Sequence, residues 1–293
     1  MPTAPTPILS AADGPPFILR RAAGTAFLIV CDHASAAIPA ALGTLGLTPD
    51  ILGTHIASDI GARWVAQRVA ARLDATLISA GYSRLVIDCN RYPWDPASIA
   101  GQSAGINVPG NDRLGQAARI ARLAEIFLPY HRAIATALRE LKERGARPVL
   151  VSVHSCTPML DGPPRPWPIG LSYTAPGGLA RRCIGALRRA GLDPVGDNEP
   201  YALEPGVDYT VPEHAQRAGL EYLQVEFRQD LIGTEAHAHV WADRLLDAIV
   251  EVSAAGASSA VEAWIPPWPC PHQAEETATL LTPPARQRPD QNL

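Results

Sequence analysis

The sequence predicts an α/β fold, a sandwich built around a mostly parallel sheet. Two observations predict it. Short apolar runs of β type alternate along the chain with longer stretches whose apolar residues recur every three or four positions. The chain of 293 residues is also long enough to bury a sizeable core. The working domain spans 17–264. Before it, residues 1–16 are rich in Pro, Ala and Thr, and after it residues 265–293 are rich in proline with almost no periodic apolar pattern, so both ends read as flexible or surface-draped segments.

Ala26–Cys31 (AFLIVC) is the first predicted strand, and helical spacing follows at Ile60–Leu73. Thr76–Ser79 and Arg84–Asp88 (RLVID) are the next strands. Leu114–Arg144 is a long helical pattern that Pro129 kinks or splits, because proline removes a helix hydrogen bond. Pro148–Val153 (PVLVSV) and Ile169–Tyr173 return to strand, and Gly178–Ala190 is helical. Tyr222–Phe227 (YLQVEF) is the last strand and Thr234–Val252 the last helix.

Composition narrows the function. The balance of 25 Lys and Arg against 29 Asp and Glu leaves a net charge of -4, with no basic surplus for a phosphate backbone, which argues against nucleic acid as a partner. No Gly-rich phosphate loop and no repeat of fixed period occurs. The five cysteines are irregularly spaced with no C-x-x-C pair, which speaks against a disulfide framework or a Cys-based zinc site and for a reducing cytoplasm. The first residues lack the pattern of a signal peptide, and no stretch approaches the ~20 apolar residues of a membrane span, so a soluble cytoplasmic protein without a membrane partner is expected.

In open α/β sheets ligands collect beyond the carboxyl ends of the strands, so the residues that end each apolar run are the informative ones. Asp32-His33-Ala34-Ser35 follows AFLIVC, Cys89-Asn90-Arg91 follows RLVID, His154-Ser155 follows PVLVSV, and YLQVEF carries Glu226 near its end, before Arg228 and Asp230. Each has a plain structural reading: a hydrogen-bonded surface histidine, a turn with an ion pair at Asn90-Arg91, a Glu226 paired with Arg228. Their co-occurrence argues otherwise, because independent turns seldom all supply the groups one hydrolytic site requires. A catalytic zinc takes three protein ligands, usually His and carboxylate, and keeps a position open for water. His33 and His154 supply two nitrogens, and zinc brings the pKa of its water towards ~7. Glu226 is the candidate base, and Arg91, with Arg84, suits a substrate bearing an acid group, since the guanidinium fork binds carboxylates bidentately.

At these residues the sequence resembles a known family. The strings CDHASAAIP, HIASDIGA, SRLVIDCNR, VHSCTP and LEYLQVEFRQDLI look like the successive signatures of the N-formylglutamate amidohydrolases, in the family's order and over residues 27–232. The resemblance implies a fold related to the zinc carboxypeptidases and aspartoacylases: a three-layer, phosphorylase/hydrolase-like sandwich with a mixed, mostly parallel central sheet. It implies that His33 and His154 are metal ligands, that Asn90 and Arg91 bind and polarise the substrate, and that Glu226 is the general base. His214 matches a family position that touches substrate or intermediate, or is a hydrogen-bonded histidine on a short helix. There is one departure: the carboxypeptidase relatives take a glutamate ligand three residues after the first His, where this chain has Ala36. The third ligand is then Asp59, unless that aspartate is the N-cap of the helix opening at Ile60, or Asp32, unless that residue orients an imidazole instead.

The resemblance implies hydrolysis of N-formylglutamate, as in histidine degradation, or of a similar small N-acyl amino acid, with one divalent metal ion as cofactor; the oligomeric state stays open. The alternatives are an amidase or peptidase acting on a larger acyl substrate and a non-catalytic small-molecule binding protein of the same fold. A thiol mechanism through Cys31 or Cys156, each near a key histidine, is a further alternative.

Overall fold

A computed structural model of the chain describes residues 6–159, 162–174 and 176–254. In chain order the strands are β1 (Phe17–Arg20), β2 (Phe27–Cys31), β3 (Thr76–Ala80), β4 (Gln102–Ser103), β5 (Ile106–Asn107), β6 (Val149–Cys156), β7 (Ile169–Ser172), β8 (Gly196–Asp197) and β9 (Glu221–Arg228). The α-helices are α1 (Pro49–Leu52), α2 (Ala62–Leu73), α3 (Gln116–Arg122), α4 (Leu128–Glu143), α5 (Gly178–Arg189) and α6 (Glu235–Ala254). Seven strands form the central sheet in the order β1-β3-β2-β6-β9-β7-β8, and β4 and β5 make a separate hairpin. The four central strands run parallel, β1 and β7 lie antiparallel to their inner neighbours, and β8 is parallel to β7. The sheet is therefore mixed and mostly parallel, as expected.

The two-residue period of a strand sends neighbouring side chains to opposite faces. Ile29, Cys31, Val151, Val153, Leu223 and Val225 pack with Val65 and Val69 of α2, Ile184 of α5 and Leu245 of α6. Leu28, Val30, Ile78 and Leu150 pack on the other side with Tyr130, Ile134, Leu138 and Leu141 of α4. Helices thus cover both faces and the molecule has three layers. Among the described residues no helix is long and apolar enough to cross a membrane.

The predicted strand Arg84–Asp88 is instead an irregular segment of turns. Its apolar residues Leu85, Val86 and Ile87 are buried beside Tyr82, Tyr92, Phe127 and Tyr209 in a separate cluster. Its backbone finds side chains where a strand finds a neighbouring strand: Asn111 donates to the Leu85 carbonyl at 2.8 Å and Arg122 to the Val86 carbonyl at 2.9 Å. The pattern of apolar residues reports burial; only backbone pairing makes a strand.

The long helical pattern predicted over Leu114–Arg144 divides near proline, as expected. A π-helical turn, Leu123–Phe127, joins α3 to α4, just before Pro129. Pro129 withholds the N–H that the Glu125 carbonyl would accept in a regular α-helix, and the looser turn absorbs the fault. Strands β6 and β9 run further than predicted, so that His154 lies within β6 rather than beyond it, while Glu226 lies within β9 as expected. In the N-terminal segment Ile8 is buried, and the backbone N–H groups of Ile8 and Leu9 bind the Glu125 carboxylate. The tail expected over 265–293 lies outside the described residues.

Two glycines permit close approaches that shape the site. A side chain at Gly61, whose φ is +79°, would strike the carbonyl oxygen of Ile232, so glycine lets the start of α2 dock beneath the turn after β9. A side chain at Gly170 would strike the Glu199 carbonyl oxygen, so glycine on β7 lets the 199–202 segment fold over the sheet.

Candidate active site

On β6 and β9 the face that packs against α4 turns polar toward the carboxyl ends. His154 and Glu226 are register partners there, and so are Ser152 and Gln224 one step deeper. His33 stands in the turn after β2. The N–H of Asp59 donates to the His33 carbonyl at 2.9 Å, which ties the approach to α2 against that turn. The Asp59 carboxylate then sits between two imidazoles. Its Oδ2 is 3.3 Å from His33 Nδ1 and 3.0 Å from His154 Nδ1, and it accepts the Ser155 N–H at 3.2 Å. Asp59 is not the cap of α2, whose N-cap is Gly61.

Each imidazole has its other nitrogen fixed by a buried carboxylate. His33 Nε2 is 2.7 Å from Asp88 Oδ1, and His154 Nε2 is 3.3 Å from Asp32 Oδ2 and 3.0 Å from Ser152 Oγ. Asp32 is itself held by the Tyr130 hydroxyl at 2.7 Å and the Thr210 hydroxyl at 2.8 Å. It therefore faces the far side of His154 and orients that ring, not its sequence neighbour His33. Asp88, absent from the sequence-predicted site, does the same for His33. Such partners fix ring orientation and leave Nδ1 of both histidines directed inward.

His33, Asp59 and His154, all buried, bring one ligand atom each within 4.8 Å of one another and could hold a metal ion. The spacing fits, since a tetrahedral ion with bonds of about 2.0–2.1 Å separates its ligand atoms by roughly 3.3 Å. The charge fits too. Burial raises the Asp59 carboxyl, but His33 and His154 override it and hold it well below the usual carboxylate range. Burial likewise lowers His154, yet its bonds to Asp32 and Asp59 and the charge of Glu226 carry it well above the ordinary imidazole value. The cluster of carboxylates draws positive charge inward.

Glu226 differs from its neighbours. It is buried, its Oε2 has no hydrogen-bond partner among the described residues, and burial pushes its carboxyl up to about 7, with His154 opposing. Beside the cluster, Arg84 donates to Asp88 at 2.6 Å and lies 3.3 Å from His33 Nδ1 and 3.6 Å from Asp59 Oδ1. Arg91 pairs with Asp208 at 2.9 Å and donates to the Asn90 carbonyl at 2.8 Å. The Asn90 side-chain oxygen accepts the N–H groups of Tyr209 and Thr210, at 3.0 and 2.9 Å, and its amide donates to Asp208, so it fixes the turn that carries this wall.

All these groups open on one cavity of about 680 Å³, lined by His33, Asp59, Arg84, Asn90, Arg91, His154 and Glu226, with the hairpin residues Ser103 and Ala104 on one side and Tyr201, Glu204 and Val207 on another. His55 and Gln224, both passed over in the sequence-predicted site, also line it. His214 does not. It is buried, with Nε2 2.9 Å from Nδ1 of His131, and the two rings stack. Its place is that of a hydrogen-bonded histidine set outside the lining of the cavity.

Burial works against a thiolate at both cysteines near the histidines. Cys31 is buried in the core against α2, where burial and the charges of Asp59 and Asp32 raise its thiol well above the ordinary value. Cys156 lines the cavity, and burial together with the Glu226 charge pushes it to about 12.

Fold and donor set together define a class, the three-layer α/β proteins that gather a His and carboxylate cluster able to hold a metal ion at the carboxyl ends of the central strands. The family model for N-formylglutamate amidohydrolase matches residues 25–233, most of the chain. The chain belongs to the N-formylglutamate amidohydrolase family. A gene product of Agrobacterium tumefaciens of known crystal structure is 34% identical, with a TM-score of 0.79 over 84% of this chain and 99% of that one. The N-formylglutamate amidohydrolase of Ralstonia eutropha superposes with a TM-score of 0.56 at 22% identity, over 82% of this chain and 97% of that one, a likeness of fold. No curated protein matches in sequence.

Proposed function

We propose that this amidohydrolase is zinc-dependent and cleaves the amide bond of N-formylglutamate or a similar small N-acyl amino acid with an acidic side chain. One observation carries the reading: His33 Nδ1, Asp59 Oδ2 and His154 Nδ1 converge at the cavity that Glu226 also lines, a carboxylate whose buried Oε2 has no partner among the described residues. Zinc, when bound by these three residues, supplies Lewis acidity, polarising a carbonyl and making hydroxide available near neutral pH. Glu226 takes the proton from the attacking water and hands it to the leaving amine as the C–N bond breaks. Arg84 and Arg91 give the cavity positive charge for the substrate's carboxylates, Arg91 from its place beside Asp208. The volume of about 680 Å³ lies within the range of small-molecule sites, which favours a small substrate over a large acyl chain. Among the described residues Cys31, Cys89, Cys156 and Cys183 are buried and free, which accords with a reducing cytoplasm as the place of work.

Metal analysis of protein purified without chelator, combined with a panel of N-formyl and N-acetyl amino acids, tests the proposal. Wild type should carry one zinc per chain and prefer acidic N-formyl substrates. The His33→Ala/His154→Ala variant should be folded, metal-free and inactive. Unchanged zinc content in that variant would remove the assignment.

A further inference from the structure

Glu226 is not the sole cavity-lining residue whose buried oxygen lacks a partner among the described residues. Gln224 stands two residues earlier on β9, and by the alternation of strand side chains it shares the same face and lines the same space. Only 3% of the residue is exposed, yet its carboxamide oxygen has no hydrogen-bond partner among the described residues. Its neighbours across the sheet are Ser152 on β6 and Ser172 on β7, and both hydroxyls are engaged elsewhere. Ser152 is bonded to His154 and Asp32, and Ser172 donates to the Tyr201 carbonyl at 2.7 Å. A buried amide oxygen without a donor is costly and calls for a reason.

We infer that Gln224 Oε1 accepts the N–H of the scissile amide. The inference rests on the reading of the substrate as a small N-acyl amino acid, and the chemistry of that class selects the contact. Such a molecule with an acidic side chain presents carboxylates and a carbonyl, which are acceptors only. Its single N–H donor at neutral pH belongs to the bond that is cut. A partnerless acceptor on a residue that lines the cavity can therefore be satisfied by that N–H and by no other group of the substrate. Strand residues two apart rise from points about 7 Å apart, so a nitrogen lying between the tips of Gln224 and Glu226 is within reach of both. As the C–N bond breaks, its electron pair leaves on nitrogen, which takes the proton carried by Glu226. The N–H held by Gln224 stays in place, keeping the lone pair turned to the acid.

The test pairs Gln224→Met with two substrates: N-formyl-L-glutamate, and the matching ester in which oxygen replaces N–H. Loss of one neutral hydrogen bond should lower kcat/KM on the amide about tenfold. The ester has no proton to offer, so its kcat/KM should change by less than about twofold. The melting temperature should stay level or rise, because an unpartnered oxygen gives way to an apolar group of similar shape. Equal losses on both substrates, or no loss on the amide, would overturn the contact, as would a lower melting temperature with equal losses. If Gln224→Met does not fold, Gln224→Leu carries the same comparison. Wild type that hydrolyses neither substrate overturns the reading of the reaction, and this contact with it. Wild type active on the amide, with a variant equally impaired on both, overturns the contact alone.

Discussion

The candidate base is a single carboxylate whose environment sets it apart. Asp32, Asp59 and Asp88 are each tied to an imidazole, whereas Glu226 Oε2 has no partner among the described residues and burial raises its carboxyl to about 7. Glu226→Gln preserves its shape and breaks no hydrogen bond at Oε2, so the variant should fold and keep its metal while kcat falls by about 10²–10⁴-fold. Loss of metal in that variant would make Glu226 a ligand, and activity within a few fold of wild type would make it a bystander. His33, His154 and Glu226 were legible in the sequence because each ends or nearly ends an apolar run, where strand geometry delivers side chains to the edge of the sheet. Asp59 was legible as a carboxylate with two possible duties, and the place of Gly61 at the N-cap of α2 removes the capping one. Asp88 and Gln224 were not. What marks Asp88 is a bond to a ring 55 positions away, and what marks Gln224 is the absence of one.

Among the elements, those predicted from unbroken apolar runs or from helical spacing stand close to where they were placed, and Arg84–Asp88 is the exception. Its segment depends on Arg122 of α3, a fully buried guanidinium that donates to the Val86 carbonyl at 2.9 Å, to Asn111 Oδ1 at 2.6 Å and to the Gly110 carbonyl at 3.2 Å. Burial lowers its pKa to about 10, with Arg119 adding to the effect, so it stays charged at neutral pH. Arg122→Leu strands these acceptors and should cost about 3 kcal/mol in urea unfolding, relieved in part because no charge is buried any longer. Metal content should fall with it, since the segment it braces carries Arg84 and Asp88. An unchanged urea midpoint would show that the segment holds itself. No periodicity in 84–88 discloses this support, which comes from residues 26–36 positions further on.

For the whole molecule, acid sensitivity follows from the buried histidine behind the cavity. Burial lowers His131 to about 4, with Asp32 and the bond to the Cys89 carbonyl opposing. An unfolded chain binds this proton below ~6.5 while the folded one refuses it until about 4, so stability is full above ~6.5 and declines as the pH falls through that window. The contribution lost should reach roughly 3 kcal/mol, and His131→Gln should flatten the dependence of urea stability on pH between 6.5 and 4. Equal slopes in both proteins would acquit His131. The layered architecture was legible from alternation alone; the two-residue edge strand β8 was not, being too short to show a pattern, and β1 was passed over. The strand order β1-β3-β2-β6-β9-β7-β8 also bears on how the chain comes off the ribosome. Strand β3 follows β1 and β2 closely in the chain and slots between them, and β6 then adds beside β2, but β7 and β8 are finished before β9, the strand they must pair beyond. Until residue 228 has emerged, the nascent protein shows an open, apolar β6 edge with two orphan strands beside it, so its synthesis passes through a sticky interval that closes only when β9 slots between them.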